Sequence, residues 1–475
     1  MEATATEIRM PSCSEQLADW VRTIEFDDLP TDVVENTKYR ILDVIGLALA
    51  GLGTPYGESL KQASAAMNPP GPSRIFGVGQ RVGVAPAAFT NGALSQAMEF
   101  DDTHNESIVH MSSPSVAAAL ALAEQLKVSG TQLITAIALG NEISCRVGSV
   151  APGQFHRRGF HPTGLFAPFG VVYLAGRLLG SSREQLVNAA GIAGSFAAGI
   201  LECWVDGTQS KFLHPGWAAQ GGITAAFLGR AANTGPTAVF EGRFGLFASH
   251  LQDQAVARNY ERITGGLGKT WDSRLASFKP YPVAHVIHPY IDLLLRLRKQ
   301  HNIDPKEVRE VICPVAAFIV TIVCEPLAEK RRPNTDSHGR VSLQYTLAEA
   351  LHFGELGKHA YQPASLRNPE ILRLADLVTY RVDPSFPGPE RFKGAIRVVM
   401  KNGEVYEAVE EHNRGSAANP MTRAELLGKF ETNAEDVLTQ PERARLIEAV
   451  SNLESSPDAG ALVQLSIAGA SRDAG

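Results

Sequence analysis

Apolar residues recur every three to four positions through most of the first 270 residues, the repeat of one buried helix face. The repeat predicts helices over 15–24 and 31–50. Thr31 and Asp32 can cap the second, which would bury Ile41, Val44, Ile45, Ala48 and Leu49 before Gly51 ends it. Further helices are predicted over 84–99, from Pro114 to about Lys127 with Gly130 closing it, and over 131–147, 163–179 and 182–201. Ser181 and Glu184 make a capping box for the last of these. Alanine and glycine are frequent in these stretches, so the backbones can pack closely. No alternation of strands and helices breaks the pattern before residue 270.

Near residue 275 the pattern changes. Ile303–Ala316 and Leu377–Val382 carry strand-like runs of Val and Ile, and Gly394–Val409 reads as a hairpin around Asn402-Gly403. Helices over 288–301 and 342–353 are interleaved. After Arg414 the helical repeat returns over Arg423–Phe430 and Gln440–Leu453, and Ala470–Gly475 is expected to fray. The expected fold is mainly α. A large all-helical domain is built from both chain ends (1–272 and 412–475), with a smaller α+β domain inserted at 273–411.

Composition narrows the function classes. The 475 residues are 44% hydrophobic and 20% charged, an ordinary globular balance. A net charge of −6 lacks the basic excess of a nucleic-acid binder. The most apolar stretches are interrupted, as by Pro168 and Arg177, so no membrane span is expected. The first residues lack the basic and apolar regions of a secretory signal. The five cysteines (13, 145, 203, 313 and 324) are widely spaced, with no CxxC pair. Reduced thiols and a cytoplasmic location are therefore expected.

The densest chemistry lies in Met98–Pro114, MEFDDTHNESIVHMSSP, where Glu99, Asp101, Asp102, Thr103, His104, Glu106 and His110 precede an apolar helix. Such a cluster suits proton transfer, or equally an acidic helix end and a polar loop. Val205–Gly222 puts Lys211 and His214 in a glycine-bounded loop, the lysine either solvated or aimed into a pocket. Arg157–Gly164 sets Arg157, Arg158 and His161 before a helix N-terminus, which could hold a carboxylate or be a basic surface loop. Phe278–Pro289 brings Lys279, His285 and His288 to the junction of the two compositions. A metal there would need a third ligand that no nearby motif supplies, and a histidine bonded to the backbone is the alternative for His288. Other patterns fail: GGLGKT at 265–270 has Ile263 where a phosphate loop needs its first glycine, and Ser195 lacks a nucleophile-elbow glycine.

Taken together, MEFDDTHNESIVHMSSPSVAAALALAE, GFHPTG, VDGTQSKFLHPGWAAQ, FEGRFGLF and KPYPVAHVIHP resemble the MmgE/PrpD family in order and spacing. The resemblance implies a helical domain with an inserted α+β lid, a homodimer, and chemistry on small anionic di- or tricarboxylates with no metal or organic cofactor. Carried over position by position, it implies a pocket with Glu99, Thr103, His110, Lys211 and Lys279. The family's decarboxylase branch has aspartate at the position of Glu99 and one residue fewer between the equivalents of Thr103 and His110. Its histidine after the second lysine falls one position before His285, and its lid tyrosine has no clear match in CEPLAEKRRP at 324–333.

The expected chemistry is removal of a proton next to a carboxylate. His110 is the expected base or acid, with Lys211 and Lys279 holding carboxylates and stabilising developing charge. Glu99, Asp102 and Thr103 are expected to orient His110 or bind a substrate hydroxyl. His161, His285 and Arg157 are expected at the substrate, the two histidines as candidates for the opposite proton transfer. The departures from the decarboxylase pattern count against decarboxylation without choosing between dehydratase and epimerase, and a 2-methylcitrate dehydratase-like lyase is the expected activity. The alternatives are an epimerase of an iminodisuccinate-like acid, a cis-aconitate-type decarboxylase, a metal-dependent hydrolase using residues 101–110, or a non-catalytic binding protein.

Overall fold

In the computed structural model, residues 10–67 and 69–469 are described; the fraying expected at Ala470–Gly475 lies outside them. The long apolar repeats form helices Cys13–Thr23, Thr31–Leu52, Val84–Gln96, Ser112–Leu126, Gly130–Gly148, Pro162–Leu178, Arg183–Ala193 and His214–Arg230. The fold is mainly α, as expected.

The boundaries differ where local bonds decide them. Lys127, in the left-handed region at φ 54°, ends its helix by donating its N–H to Ala123, and Gly130 instead begins the next helix behind a Ser129 cap. The capping box falls one residue later than predicted, on Ser182 and Gln185. The helix expected to reach 201 stops at Ala193. Beyond it, Ala198 and Leu201 donate to the carbonyls of Gly164 and Gly159, so long-range backbone bonds replace helical ones. Those bonds fold 198–201 against the loop that carries His161.

Two large apolar cores form among the described residues, beside a small cluster of Leu47, Met98 and Phe100. The larger gathers side chains from Cys13 to Ala276 and again from Phe430 to Val463. The smaller runs from Tyr281 to Met400. The smaller core packs on a four-stranded sheet in the order Val378–Val382, Val308–Val315, Gly394–Met400, Val405–Glu410. Its first pair is parallel (Val311 opposite Val378) and the others antiparallel. Helices His288–His301 and Leu343–Phe353 cover it.

The chain end closes on the chain start. Phe430, on helix Arg423–Ala434, packs at Gly46, where an added Cβ would lie 3.0 Å from its ring. On the same helix Lys429 pairs with Asp43 at 2.7 Å and donates to the Phe100 carbonyl at 2.9 Å. The loop after Phe100 is thereby pinned from both ends of the sequence. Among the described residues, no helix is long and apolar enough to cross a membrane.

Candidate active site

The loop from Glu99 to Ser112 is rigid because little of it faces water and both ends are held. Thr103–His104 pairs antiparallel with Ala276–Ser277, and His104 bridges back to Val109. Glu99 (φ 53°) and Ile108 (φ 57°) sit in the left-handed region. This costs on the order of 1–2 kcal/mol at each, and is least expected at a β-branched residue. Both side chains line one cavity of about 80 Å³. Strain at two wall residues is tolerated because the surrounding contacts over-determine the loop.

Four separated stretches meet at that cavity: Glu99, Thr103 and His110; His156 and His161; Trp204 and Lys211; Lys279 and His285. Phe318, Ile322 and Phe392 from the α+β part close the apolar side. Lys211 reaches Glu99 because helices Val84–Gln96 and His214–Arg230 touch backbone to backbone; a Cβ on Gly92 would come within 3.1 Å of the Gly216 Cα. Lys279 follows two residues after the strand paired with Thr103. Its ammonium donates to the Glu99 carbonyl at 2.9 Å and lies 3.8 Å from the Glu99 carboxylate. Glu99 thus bridges two buried lysines, with Lys211 in direct contact. Burial alone would raise the Glu99 carboxyl, but Lys211, Lys279 and His110 outweigh it and hold it below the usual carboxylate range. Burial lowers the Lys279 ammonium, opposed by Glu99 and Asp101.

His110 is held by one ring nitrogen. Nδ1 lies 2.8 Å from the Asp102 carbonyl, 3.3 Å from the Thr103 hydroxyl and 3.2 Å from the Asp101 carboxylate. A carbonyl only accepts, so Nδ1 carries a proton, and Nε2 has a lone pair whenever the ring holds no second proton. The His110 backbone N–H donates to Thr163 Oγ1 at 2.9 Å. Asp101, fully buried, takes a hydrogen bond from Ser113 at 3.0 Å. Burial would raise its pKa; the charge and hydrogen bond of His110, then Lys279 and Lys211, bring it down to about 2.

His285 and His161 also line the cavity. Asn413 Nδ2 donates to His285 Nε2 at 2.8 Å, which puts the ring proton on Nδ1, a buried atom without a protein partner. That N–H is available to an oxygen in the cavity. Burial, then His288 and Lys279, keeps His285 well below the usual histidine value. His288 donates from Nε2 to the Val283 carbonyl at 3.2 Å, the backbone-bonded state considered from sequence.

Two expected site residues lie elsewhere. The Asp102 carboxylate faces Arg40 in a buried ion pair and accepts from Ser112, so only its backbone carbonyl touches His110. The carboxylate beside His110 belongs to Asp101. Arg157 is exposed, because its short helix Gln154–Arg157 turns Phe155 into the core and leaves Arg157 outside. It lines a neighbouring cavity of about 720 Å³ with Arg158 and Lys330. His156, Trp204, Phe318 and Ile322 line both cavities and form the wall between them. Among the described residues, no group of three or more His, Cys, Asp or Glu is arranged to hold a metal ion. The cluster at 101–110 therefore does not provide the ligand set a hydrolase reading needs.

Comparison with known proteins adds an independent line. Residues 15–259 match the MmgE/PrpD N-terminal domain and residues 281–455 the MmgE/PrpD C-terminal domain. The chain is 29% identical over 468 residues to a cis-aconitate decarboxylase-like protein of Aspergillus oryzae, covering 95% of this chain and 96% of that one. It is 28% identical over 469 residues to the cis-aconitate decarboxylase of Aspergillus terreus, with 95% of each chain covered. The cis-aconitate decarboxylase of Homo sapiens is 26% identical over 467 residues, covering 96% of this chain and 95% of that one.

Proposed function

The chain belongs to the MmgE/PrpD family, and from that premise we propose that it is a lyase needing no metal or organic cofactor, which moves a proton at a carbon next to a carboxylate of a small polycarboxylate. The observation that carries this reading is the pair of buried lysines at one small cavity, both on Glu99 and both lining it together with His110. Two fixed cations suit a substrate with two carboxylates, and a buried cation has no low-energy state without an anion.

Decarboxylation of a cis-aconitate-like acid is the reaction we favour, on the strength of the named relatives. The C–C bond to the departing carboxylate breaks and its electron pair stays on carbon. Lys211 and Lys279, on the remaining carboxylates, stabilise that charge. A protonated His110 then gives its Nε2 proton to the carbon, with Asp101 3.2 Å from Nδ1 balancing the imidazolium before the transfer. One proton is taken from solvent per turnover and carbon dioxide leaves. Thr103 and His285 offer hydrogen bonds that orient the substrate.

A 2-methylcitrate dehydratase-type reaction is the second reading. Glu99 in place of the aspartate of the decarboxylase branch, and the additional residue between Thr103 and His110, count against the first reading and leave room for it. There His110 would take the C–H proton and a second group would protonate the departing hydroxide. Proton NMR in D₂O with cis-aconitate, citrate, 2-methylcitrate and iminodisuccinate separates these. Carbon dioxide release with a retained alkene supports decarboxylation, and alkene growth from a hydroxy acid supports dehydration. Deuterium uptake without net conversion would indicate epimerisation. No reaction with any of the four would reject the proposal. A homodimer in the cytoplasm is proposed from the family resemblance and the five free, buried cysteines; sedimentation at micromolar concentration tests the assembly.

A further inference from the structure

Behind the cavity, His161 meets a second histidine that the reactions above do not use. His161 Nδ1 lies 2.9 Å from His214 Nδ1, with ring centroids 5.0 Å apart and ring planes 41° apart. Two imidazole nitrogens at that separation share one proton, donated by one ring and accepted by the other. His161 lines the inner cavity, and its Nε2 is buried with no protein partner. His214 lines a separate outer groove of about 850 Å³ with Met67, Phe89, Ile200 and Trp217. The pair is therefore the contact between the cavity and a second face of the molecule.

The pair is held rigidly by one residue. The Gly199 carbonyl accepts the His161 backbone N–H at 3.0 Å. Its Cα lies against the second ring, so that an added Cβ would fall 3.2 Å from His214 Nδ1. Gly199 sits at φ 146°, a conformation that strains other residues. Burial and then Lys211 depress both histidines, His214 to about 4 and His161 well below its usual value, with His110 and His156 adding to the effect at His161 and Glu99 opposing it at His214. Both rings are neutral near pH 7, the state in which the bridge holds one proton.

We infer that His161 and His214 form a two-imidazole relay that carries protons between the outer groove and the catalytic cavity. The His161 Nε2 proton passes to a group in the cavity, where the His110 ring centroid is 5.5 Å away. The bridging proton moves from His214 Nδ1 to His161 Nδ1, and water in the groove protonates His214 Nε2. One proton enters and one leaves, both tautomers invert, and the reverse transfers, drawing a proton from water admitted when product leaves, restore them. The inference rests on the proposed function, because a decarboxylation takes up one proton per turnover.

The test uses the full chain and His214→Ala, with turnover measured in weakly buffered solution with and without added imidazole. The variant is expected to lose roughly tenfold or more in kcat with KM little changed, and to recover most of it in imidazole while the wild type does not respond. Wild-type turnover with an unaffected variant, or a variant that imidazole does not rescue, would overturn the relay. A wild type inert on every polycarboxylate would instead reject the proposed function. The relay is then still decided by ¹⁵N-histidine NMR: a bridging proton coupled to one nitrogen of each ring, lost in His214→Ala, supports it, and its absence in the wild type refutes it.

Discussion

Glu99→Gln tests how the site is stabilised when empty. The substitution keeps the shape and removes the carboxylate that both buried lysines contact. At the 3.8 Å between Lys279 and the carboxylate, and an effective dielectric constant of about 20, the lost attraction is roughly 332/(20 × 3.8), about 4 kcal/mol. Lys211, in closer contact, loses at least as much. Proton release limits the penalty, because neutralising a lysine at pH 7 costs about 1.36 × (10.4 − 7), or about 5 kcal/mol. The expected net destabilisation is the roughly 3–5 kcal/mol typical of a broken buried pair. Thermal unfolding at pH 7 with and without a saturating polycarboxylate measures it. The variant should melt lower than wild type, and the ligand should raise its midpoint more, because the ligand carboxylates replace the missing one. The pH dependence has a definite sign. The folded Lys279 pKa lies below the usual 10.5, so between those values the unfolded chain binds more protons and stability rises with pH. Loss of Glu99 widens that window downward, and the variant's deficit should shrink as the medium becomes alkaline. Equal stability of the two proteins, or a deficit that neither ligand nor alkaline pH reduces, would refute this reasoning.

Three further predictions can be checked directly. His110→Asn should fold, bind polycarboxylates in a melting assay, and lose on the order of 10²–10⁴ in kcat, whereas retained turnover would remove His110 from the chemistry. Asp101, with its carboxyl at about 2 against an ordinary 3.8, contributes about 1.36 × (3.8 − 2), or about 2 kcal/mol; this is fully present above pH 3.8 and lost as pH falls through 2, so acid titration of Asp101→Asn should lack this component of the wild-type curve. Gly92→Ala should force apart helices Val84–Gln96 and His214–Arg230, raising KM through a displaced Lys211, while Gly428→Ala, where an added Cβ meets nothing within 4 Å, should leave KM unchanged.

Much of the fold was legible because helical periodicity is strong where one face is buried. Helix His288–His301 begins and ends where its repeat does. The repeat failed at 194–201, where bonds to Gly159 and Gly164 override a helix-compatible sequence. It could not show Thr103–His104 pairing with Ala276–Ser277, since two-residue strands carry no period. At the site, charged and imidazole groups stood out because they interrupt apolar stretches. Asp101 and Asp102 are chemically identical neighbours, and only their distant partners, His110 and Arg40, tell them apart. The apolar wall of Phe318, Ile322 and Phe392 left no sign at all, since nothing local distinguishes a phenylalanine facing a cavity from one facing a core.

The return of the C-terminal helix to the larger core bears on how the protein is made. The first part of the larger core ends at Ala276 and its second part begins at Phe430, so about 154 residues must leave the ribosome before the two halves can meet. At about 5–20 residues per second this is roughly 8 to 30 seconds. Throughout that interval the nascent chain lacks the partner of Asp43 and the anchor of the Phe100 carbonyl. The Lys429 pin on the reactive loop is therefore among the last contacts of the molecule to set, and a nascent chain released before residue 430 would carry nearly all the chemical groups of the site without it.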